Sequence, residues 1–169
     1  MFEYLMPQLV MPSYRDTLID QTSRHAVDAQ ITHGEQRGVP WGVSESGYNT
    51  VDARMNYQYR AFGVPGLGLK RGLGQDLVIA PYASMMALMV APEAACQNLQ
   101  RLTAQGFGGH FGLYEAIDYT PSRVPHGQEY VVVRSFMAHH QGMGLLSLDY
   151  LLRDQPMQQR FVADAEFQA

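Results

Sequence analysis

Cysteine and charged residues are both scarce in this chain. Only one cysteine, Cys96, occurs in 169 residues, so an internal disulfide is excluded and nothing requires an oxidising compartment. Charged residues make up 17% of the chain, against about 25% in an average globular protein, whereas hydrophobic residues make up 46%. This composition excludes a disordered chain, because there are enough apolar side chains to form a core.

Basic charge and long apolar runs are also lacking. The chain has 12 Lys and Arg against 16 Asp and Glu, and its net charge of −4 argues against a nucleic-acid partner and against adsorption to an anionic membrane. No apolar run approaches the roughly 18 residues that span a bilayer. The opening segment, MFEYLMPQLVM, lacks the basic region and the cleavage site of a signal peptide. We therefore expect a soluble chain with no membrane segment of its own.

The length predicts one domain. The apolar start of the chain, interrupted by Glu3 and Pro7, leaves two interpretations open. It fits an interior segment of a longer protein, and it fits equally well a buried N-terminal helix or strand.

The spacing of apolar residues predicts several helices. An amphipathic helix of about six turns is expected from residue 15 to about residue 36, ending at Gly34 or Gly38. Residues 81–90, PYASMMALMV, are apolar on every face, which is typical of a buried helix. A further helix begins at Pro92, so the two form an αα-hairpin.

The rest of the chain alternates between loops and helices. Residues 130–133, YVVV, are compatible with a strand, and helices are predicted over about 136–153 and over 156–163. Since neither an alternating βαβ pattern nor a heptad repeat is present, we predict an all-α fold. Its helices are joined by long loops of the kind that carry functional sites, at 38–48, 57–74 and 106–127.

Motifs for nucleotides and metals are incomplete. Gly63 and Gly68 have the spacing of a phosphate-binding loop, but Leu69 stands where lysine is required. The adjacent His139 and His140 would point about 100° apart on a helix, so they are poorly placed to share one ion. We therefore predict no cofactor and no metal, and we expect a sugar hydroxyl or a carboxylate as the partner of one of these histidines.

Two carboxylates lie in loops rich in aromatic residues and glycine. Glu45 follows the only tryptophan, Trp41, and Glu115 lies in the segment FGLYEAIDYTPSR. Apolar, aromatic surroundings favour the neutral form of an acid, as a general acid requires. Aromatic faces and neutral polar side chains suit a carbohydrate, and two carboxylates are the minimum for glycoside chemistry. The same residues are also compatible with a structural role, in which each acid caps a helix or pairs with Lys70, Arg71, Arg123 or Arg134.

Longer strings surround these residues and cover nearly the whole chain: the opening MFEYLMP, PWGVSESGYN (40–49), YQY (57–59), FGVPGLGLKRG (62–72), VIAPY (78–82), YEAIDYTPSR (114–123) and MAHHQGM (137–143). In these strings the chain resembles the glucoamylase-like domain of cyclic β-1,2-glucan synthases, which is related to bacterial endo-β-1,2-glucanases.

The resemblance implies an (α/α)6 toroid, of which this chain would hold about five or six of twelve helices. Residues 1–169 would then be the later portion of one glucoamylase-like domain whose earlier helices are missing from this chain. The isolated chain would expose apolar helix faces and could be inactive.

The function implied is cyclisation of linear β-1,2-glucan by retaining transglycosylation. The partners would be the glucan and the remainder of the synthase, at the cytoplasmic side of a bacterial inner membrane. Two alternatives remain: an endo-β-1,2-glucan hydrolase, and a non-catalytic segment that binds glucan or acts as a scaffold.

The resemblance also implies roles for single residues. Glu45 is expected to be the general acid/base and Glu115 the nucleophile or second carboxylate. Asp118 with Arg123 could instead form an ion pair that locks a loop, and His140 could instead bond a backbone carbonyl. The candidate glucan contacts are Trp41, Tyr48, Asn49, Tyr114, Asp118, Arg123, His139, His140 and Gln141.

Overall fold

The structure, a computed structural model, describes residues 1–68 and 72–167. The Leu69 comparison with a phosphate-binding loop and the possible ion pairs of Lys70 and Arg71 lie outside the described residues. The helices that the sequence predicts are confirmed, with one short addition at the start. The α-helices are α1 (Phe2–Leu5), α2 (Leu18–Arg37), α3 (Pro81–Met86), α4 (Pro92–Ala104), α5 (Ala138–Leu152) and α6 (Pro156–Val162), with 3-10 turns at Met6–Leu9, Ala87–Met89 and Ala165–Phe167.

Helix α2 ends where the sequence indicates. Thr17 caps its N-terminus by accepting a hydrogen bond from the Asp20 N–H, and Gly38 ends it with a φ of +70°, a conformation that glycine adopts without strain. In the described residues no helix is both long enough and apolar enough to cross a membrane.

The expectation of an all-α fold is confirmed only in part: helices predominate, but short strands lie within the segments predicted as loops. Most of these strands are too short, or too similar in burial on their two faces, to show an alternating pattern. Only the strand expected within residues 130–133 is confirmed. The strands are β1 (Ser46–Val51), β2 (Tyr57–Arg60), β3 (Val78–Ile79), β4 (Gly108–Gly109), β5 (Gly112–Leu113), β6 (Ala116–Asp118) and β7 (Val131–Val133).

The strands form small antiparallel sheets. Strands β1 and β2 pair as a hairpin, β4 and β5 as another, and β3, β6 and β7 form one sheet with β6 at its centre. A single bridge from Val43 to Ile79 ties the segment before β1 to this sheet. Glu45 and Glu115 therefore each immediately precede a strand, β1 and β6 respectively, and the sheets fix both positions.

Two apolar cores hold the helices and the sheets. The first is built around α3, where Pro81, Tyr82, Ala83, Ser84 and Met86 are all buried, as predicted for a helix that is apolar on every face. The second lies beneath the three-stranded sheet and includes the fully buried pair Ile79 and Ile117.

Gly34 permits the closest approach between α2 and the loop that follows it. A Cβ at this position would lie 2.8 Å from the Trp41 Cβ and 3.1 Å from the Val39 carbonyl oxygen. We expect Gly34→Ala to destabilise this region by about 1–3 kcal/mol, measured as lost hydrogen-exchange protection of α2. At Gly142 in α5 a Cβ would meet nothing within 4 Å, so Gly142→Ala should be neutral or stabilising by up to about 1 kcal/mol. Equal effects of the two substitutions would contradict this packing.

Candidate active site

The backbone of Glu45 is fixed by two helices. Gln30, from α2, is buried and bonds both polar groups of Val43: its amide donates to the Val43 carbonyl at 2.7 Å, and its carbonyl accepts from the Val43 N–H at 2.7 Å. Tyr82, from α3, donates from its hydroxyl to the Glu45 carbonyl oxygen at 3.0 Å and contacts the Ser44 hydroxyl at 2.8 Å. The Glu45 side chain thus projects, half-buried, from a rigid loop.

Glu115 is held by the sheet and by α5. Its side chain is 1% exposed, and both of its carboxylate oxygens have partners. The Gly47 N–H donates to Oε1 at 3.1 Å, and His140 Nδ1 lies 2.9 Å from Oε2. The His140 ring is stacked on Tyr82 at 3.6 Å between ring centroids. The expected carboxylate partner of a histidine is therefore confirmed, and among the residues that the structure describes His140 bonds no backbone carbonyl.

A tyrosine on β2 connects the two carboxylates. The Tyr59 hydroxyl donates to Glu45 Oε1 at 2.8 Å and lies 3.2 Å from His140 Nε2, and the opposite nitrogen of that ring contacts Glu115. Glu45, Tyr59, His140 and Glu115 therefore form one continuous hydrogen-bonded chain. Sequence analysis missed Tyr59, because its strand was read as loop; the string YQY in the family resemblance was the available signal.

The electrostatics of the site keep this tyrosine neutral. Partial burial, together with the hydrogen bond to Glu45, raises the pKa of the Tyr59 hydroxyl well above its usual range. Burial also raises the pKa of the Tyr82 hydroxyl. Partial burial and the neighbouring His140 lower the pKa of His139. A neutral tyrosine can donate and accept at once, as its place in the chain requires.

Each carboxylate lines a cavity. A cavity of about 180 Å³ is bordered by Glu115 and His140 together with Tyr114, Gln141 and Leu145. A smaller one of about 60 Å³ lies against Glu45. Four of the predicted site residues thus meet at the larger cavity: Tyr114, Glu115, His140 and Gln141.

Glu45, His139 and His140 have the donor types of a metal site, with donor atoms within 4.8 Å of one another. The Tyr59 hydroxyl lies 2.8 to 3.5 Å from one donor atom of each, so it occupies the space between them. We therefore assign the group to hydrogen bonding. The expectation that adjacent histidines point apart is wrong here, because both rings turn toward Tyr59 at the first turn of α5.

Asp118 and Arg123 form the loop-locking ion pair that the sequence left open. Asp118 is fully buried and accepts from Arg123 Nε at 2.7 Å and from the Asn49 N–H at 3.0 Å. The Arg123 carbonyl accepts from the Asn49 side chain at 2.6 Å, and its guanidinium lies 5.0 Å from the centre of the Tyr48 ring. The polar groups of Asn49, Asp118 and Arg123 thus bond one another, and Tyr48 contacts the Arg123 guanidinium through its ring, so the four residues hold this loop against β1.

Trp41 is packed in the helical core rather than at a cavity that borders either glutamate. It is 7% exposed, and its backbone N–H and carbonyl bond the buried side chain of Asn98. These contacts anchor the loop that carries Glu45. In the described residues, neither glutamate forms the ion pair with Arg123 or Arg134 that the sequence left open.

Comparisons with known proteins show which proteins this chain is similar to. Residues 1–164 match the family model described as "Putative glucoamylase". The chain is 47% identical, over all 169 residues, to the cyclic beta-(1,2)-glucan synthase NdvB of Rhizobium meliloti (strain 1021). It spans only 6% of the length of that relative. The family resemblance drawn from the sequence motifs is therefore confirmed.

Two solved structures share the fold. A crystal structure of a "putative glucoamylase" from Bacteroides caccae superposes with a TM-score of 0.64 at 18% identity, covering 99% of this chain and 39% of that one. An endo-beta-1,2-glucanase from Chitinophaga pinensis, solved with sophorotriose and glucose, superposes with a TM-score of 0.62 at 19% identity, covering 99% and 38%.

Proposed function

Since the chain belongs to the family described as "Putative glucoamylase", we propose that residues 1–169 are the later portion of one glucoamylase-like domain with an (α/α)6 toroidal fold. The partial coverage of both solved structures supports this proposal. So do the exposed apolar side chains on its helices, which further helices of such a domain would cover: Leu18 is 81% exposed, Leu145 68% and Leu152 74%.

The domain cyclises β-1,2-glucan by retaining transglycosylation, as part of a cyclic glucan synthase. The observation that carries this proposal is the pair of carboxylates, Glu45 and Glu115, joined by one hydrogen-bonded chain and each beside a cavity. The strong likeness to a synthase named for this product supports the substrate. The remainder of the synthase would be its partner, at the cytoplasmic side of a bacterial inner membrane.

The geometry suits a division of roles between the carboxylates. Glu115 is the nucleophile: the Gly47 N–H and His140 orient its carboxylate, each oxygen keeps a further lone pair, and the residue lines the larger cavity. Glu45, at the opposite end of the chain, gives its proton to the glycosidic oxygen as the bond to Glu115 forms. It then removes a proton from the attacking hydroxyl of the same glucan, which closes the ring.

The predicted glucan contacts divide into two groups. Tyr114, His139 and Gln141 lie at the larger cavity or beside Tyr59, where they can meet sugar hydroxyls, whereas both ring nitrogens of the buried His140 are already bonded to Glu115 and Tyr59. Trp41, Tyr48, Asn49, Asp118 and Arg123 act indirectly, by holding the segments that carry the two glutamates.

Hydrolysis of the same glucan is the second candidate. The fold shared with an endo-beta-1,2-glucanase favours it, since water in place of the glucan hydroxyl would turn transfer into hydrolysis. A non-catalytic scaffold is the remaining alternative.

One incubation separates these functions. The complete polypeptide that carries this chain is incubated with linear β-1,2-glucan, and the products are resolved by mass. We expect cyclic products, each lighter by one water than the linear chain of the same length. Shorter linear products alone would indicate the hydrolase, and unchanged substrate would contradict an enzymatic role.

A further inference from the structure

The Tyr59 hydroxyl lies beside Glu45, the proposed acid/base, and beside two histidines. One is His140, which contacts the proposed nucleophile Glu115, and the other is the exposed His139. The Tyr59 hydroxyl is 2.8 Å from Glu45 Oε1, 3.2 Å from His140 Nε2 and 3.5 Å from His139 Nε2. Tyr59 has one proton to donate and two lone pairs to accept with. Which partner donates in each hydrogen bond of the chain therefore depends on which of the neighbouring groups carry protons.

Counting protons along the chain gives two arrangements with the same total. In the first, Glu45 is a carboxylate that accepts from Tyr59, and a doubly protonated His140 donates to both Tyr59 and the Glu115 carboxylate. In the second, Glu45 is protonated and donates to Tyr59, which in turn donates to a neutral His140. Every distance in the chain fits both arrangements.

We infer that Tyr59 is a positioning residue that passes a proton between His140 and Glu45, so that the buried pair of His140 and Glu115 keeps Glu45 supplied with its catalytic proton. This inference rests on the proposed function, since it assigns Glu45 as the acid/base.

The transfer balances in atoms and charge. The His140 Nε2–H bond breaks as the Tyr59 oxygen gains that proton, and the original Tyr59 O–H bond breaks as Glu45 Oε1 gains the other. His140 changes from a cation to neutral and Glu45 from an anion to neutral, while Tyr59 is unchanged. The raised pKa of Tyr59 supports passage through a neutral hydroxyl rather than a phenolate.

The arrangement gives Glu45 a source for its catalytic proton besides water. The ordinary pKa of a histidine lies about two units above that of a glutamate, so a histidine cation is in general the better proton store near neutral pH. His140 is placed for that role, because its Nδ1 contacts the buried Glu115 carboxylate while its Nε2 faces the Tyr59 hydroxyl. Besides Glu115, the ionisable groups that face this hydrogen-bonded chain from the packed elements are His139, Tyr82 and, from α1, Glu3.

The test compares Tyr59→Phe with the wild type in the complete polypeptide, by the pH dependence of kcat/KM on linear β-1,2-glucan. Without the hydroxyl, Glu45 must take its proton from water. We expect kcat/KM at neutral pH to fall about 10- to 100-fold and the alkaline limb of the profile to move at least about one pH unit lower. Tyr57→Phe, two residues earlier on the same strand and packed against the sheet core, should leave the profile unchanged.

Each outcome decides a separate question. A Tyr59→Phe profile with its alkaline limb unmoved, or moved to higher pH, overturns the proton transfer even if the rate falls, because a merely structural role lowers the rate without moving the limb in this direction. A wild type that does not act on the glucan overturns the proposed function first and the inference with it. Circular dichroism of both variants shows whether the fold is retained.

Discussion

Glu45→Gln, in the complete polypeptide, is expected to lower kcat on linear β-1,2-glucan by about 10²- to 10⁴-fold, with a smaller effect on KM. This is the range that one general acid/base contributes, and glutamine keeps the shape of the side chain but holds no transferable proton. The loop should be unchanged, since Gln30 and Tyr82 hold its backbone and not the carboxylate. Initial rates over a range of glucan concentrations give both constants.

The matched control is Glu93→Gln, at the exposed first turn of α4 and away from both cavities. It should leave kcat within about twofold of the wild type, since a surface charge away from the site contributes little. Equal rates for Glu45→Gln and Glu93→Gln would show that Glu45 is not the acid/base.

The second large effect is on stability. Asp118→Asn should destabilise the domain by about 3–5 kcal/mol, the usual cost of removing one partner from a buried ion pair. Asp118 is fully buried and joins β1 to the 118–123 loop through the Asn49 N–H and Arg123. Its loss leaves a largely buried guanidinium that keeps, among the described residues, the Asp76 carboxylate and the Thr120 hydroxyl as partners. The change in the free energy of unfolding is measured by urea denaturation of the domain, with hydrogen exchange as the readout.

Asp149→Asn is the comparison for that experiment. Asp149 pairs with Arg153 on the surface of α5 at 3.4 Å, and such exposed pairs contribute at most about 1 kcal/mol. If the two substitutions cost the same, Asp118 does not lock the loop, and a direct role for it at the glucan becomes the better interpretation.

The sequence predicted the helices well because their signals are local. Thr17 and Gly38 at the ends of α2 and the uniformly apolar 81–90 segment each act within a few residues. The short strands were missed because their stability comes from distant partners: Ile79 pairs with Ile117, 38 residues away in the chain, and nothing in either segment alone reveals this.

The site was predicted in part for a related reason. Glu45 and Glu115 were recognisable from their aromatic surroundings, and the structure brings them into one network. Trp41 was a candidate glucan contact on the family resemblance, yet its close packing against Gly34 and its bonds to Asn98 place it in the core. Tyr59 could not be assigned from local pattern, since its role depends on contacts with residues 14 and 81 positions away.

The most direct measurement of the central claim, that Glu45 and Glu115 are the acid/base and the nucleophile of one retaining site, is the trapping of a covalent intermediate. The Glu45→Gln polypeptide is given a short β-1,2-glucan with a good leaving group at its reducing end, so that the first step needs no acid and the second lacks its base. After tryptic digestion, mass spectrometry should find the sugar on the peptide that spans residues 102–123, attached to Glu115. Release of product with no adduct, or an adduct on another residue, would contradict the assignment.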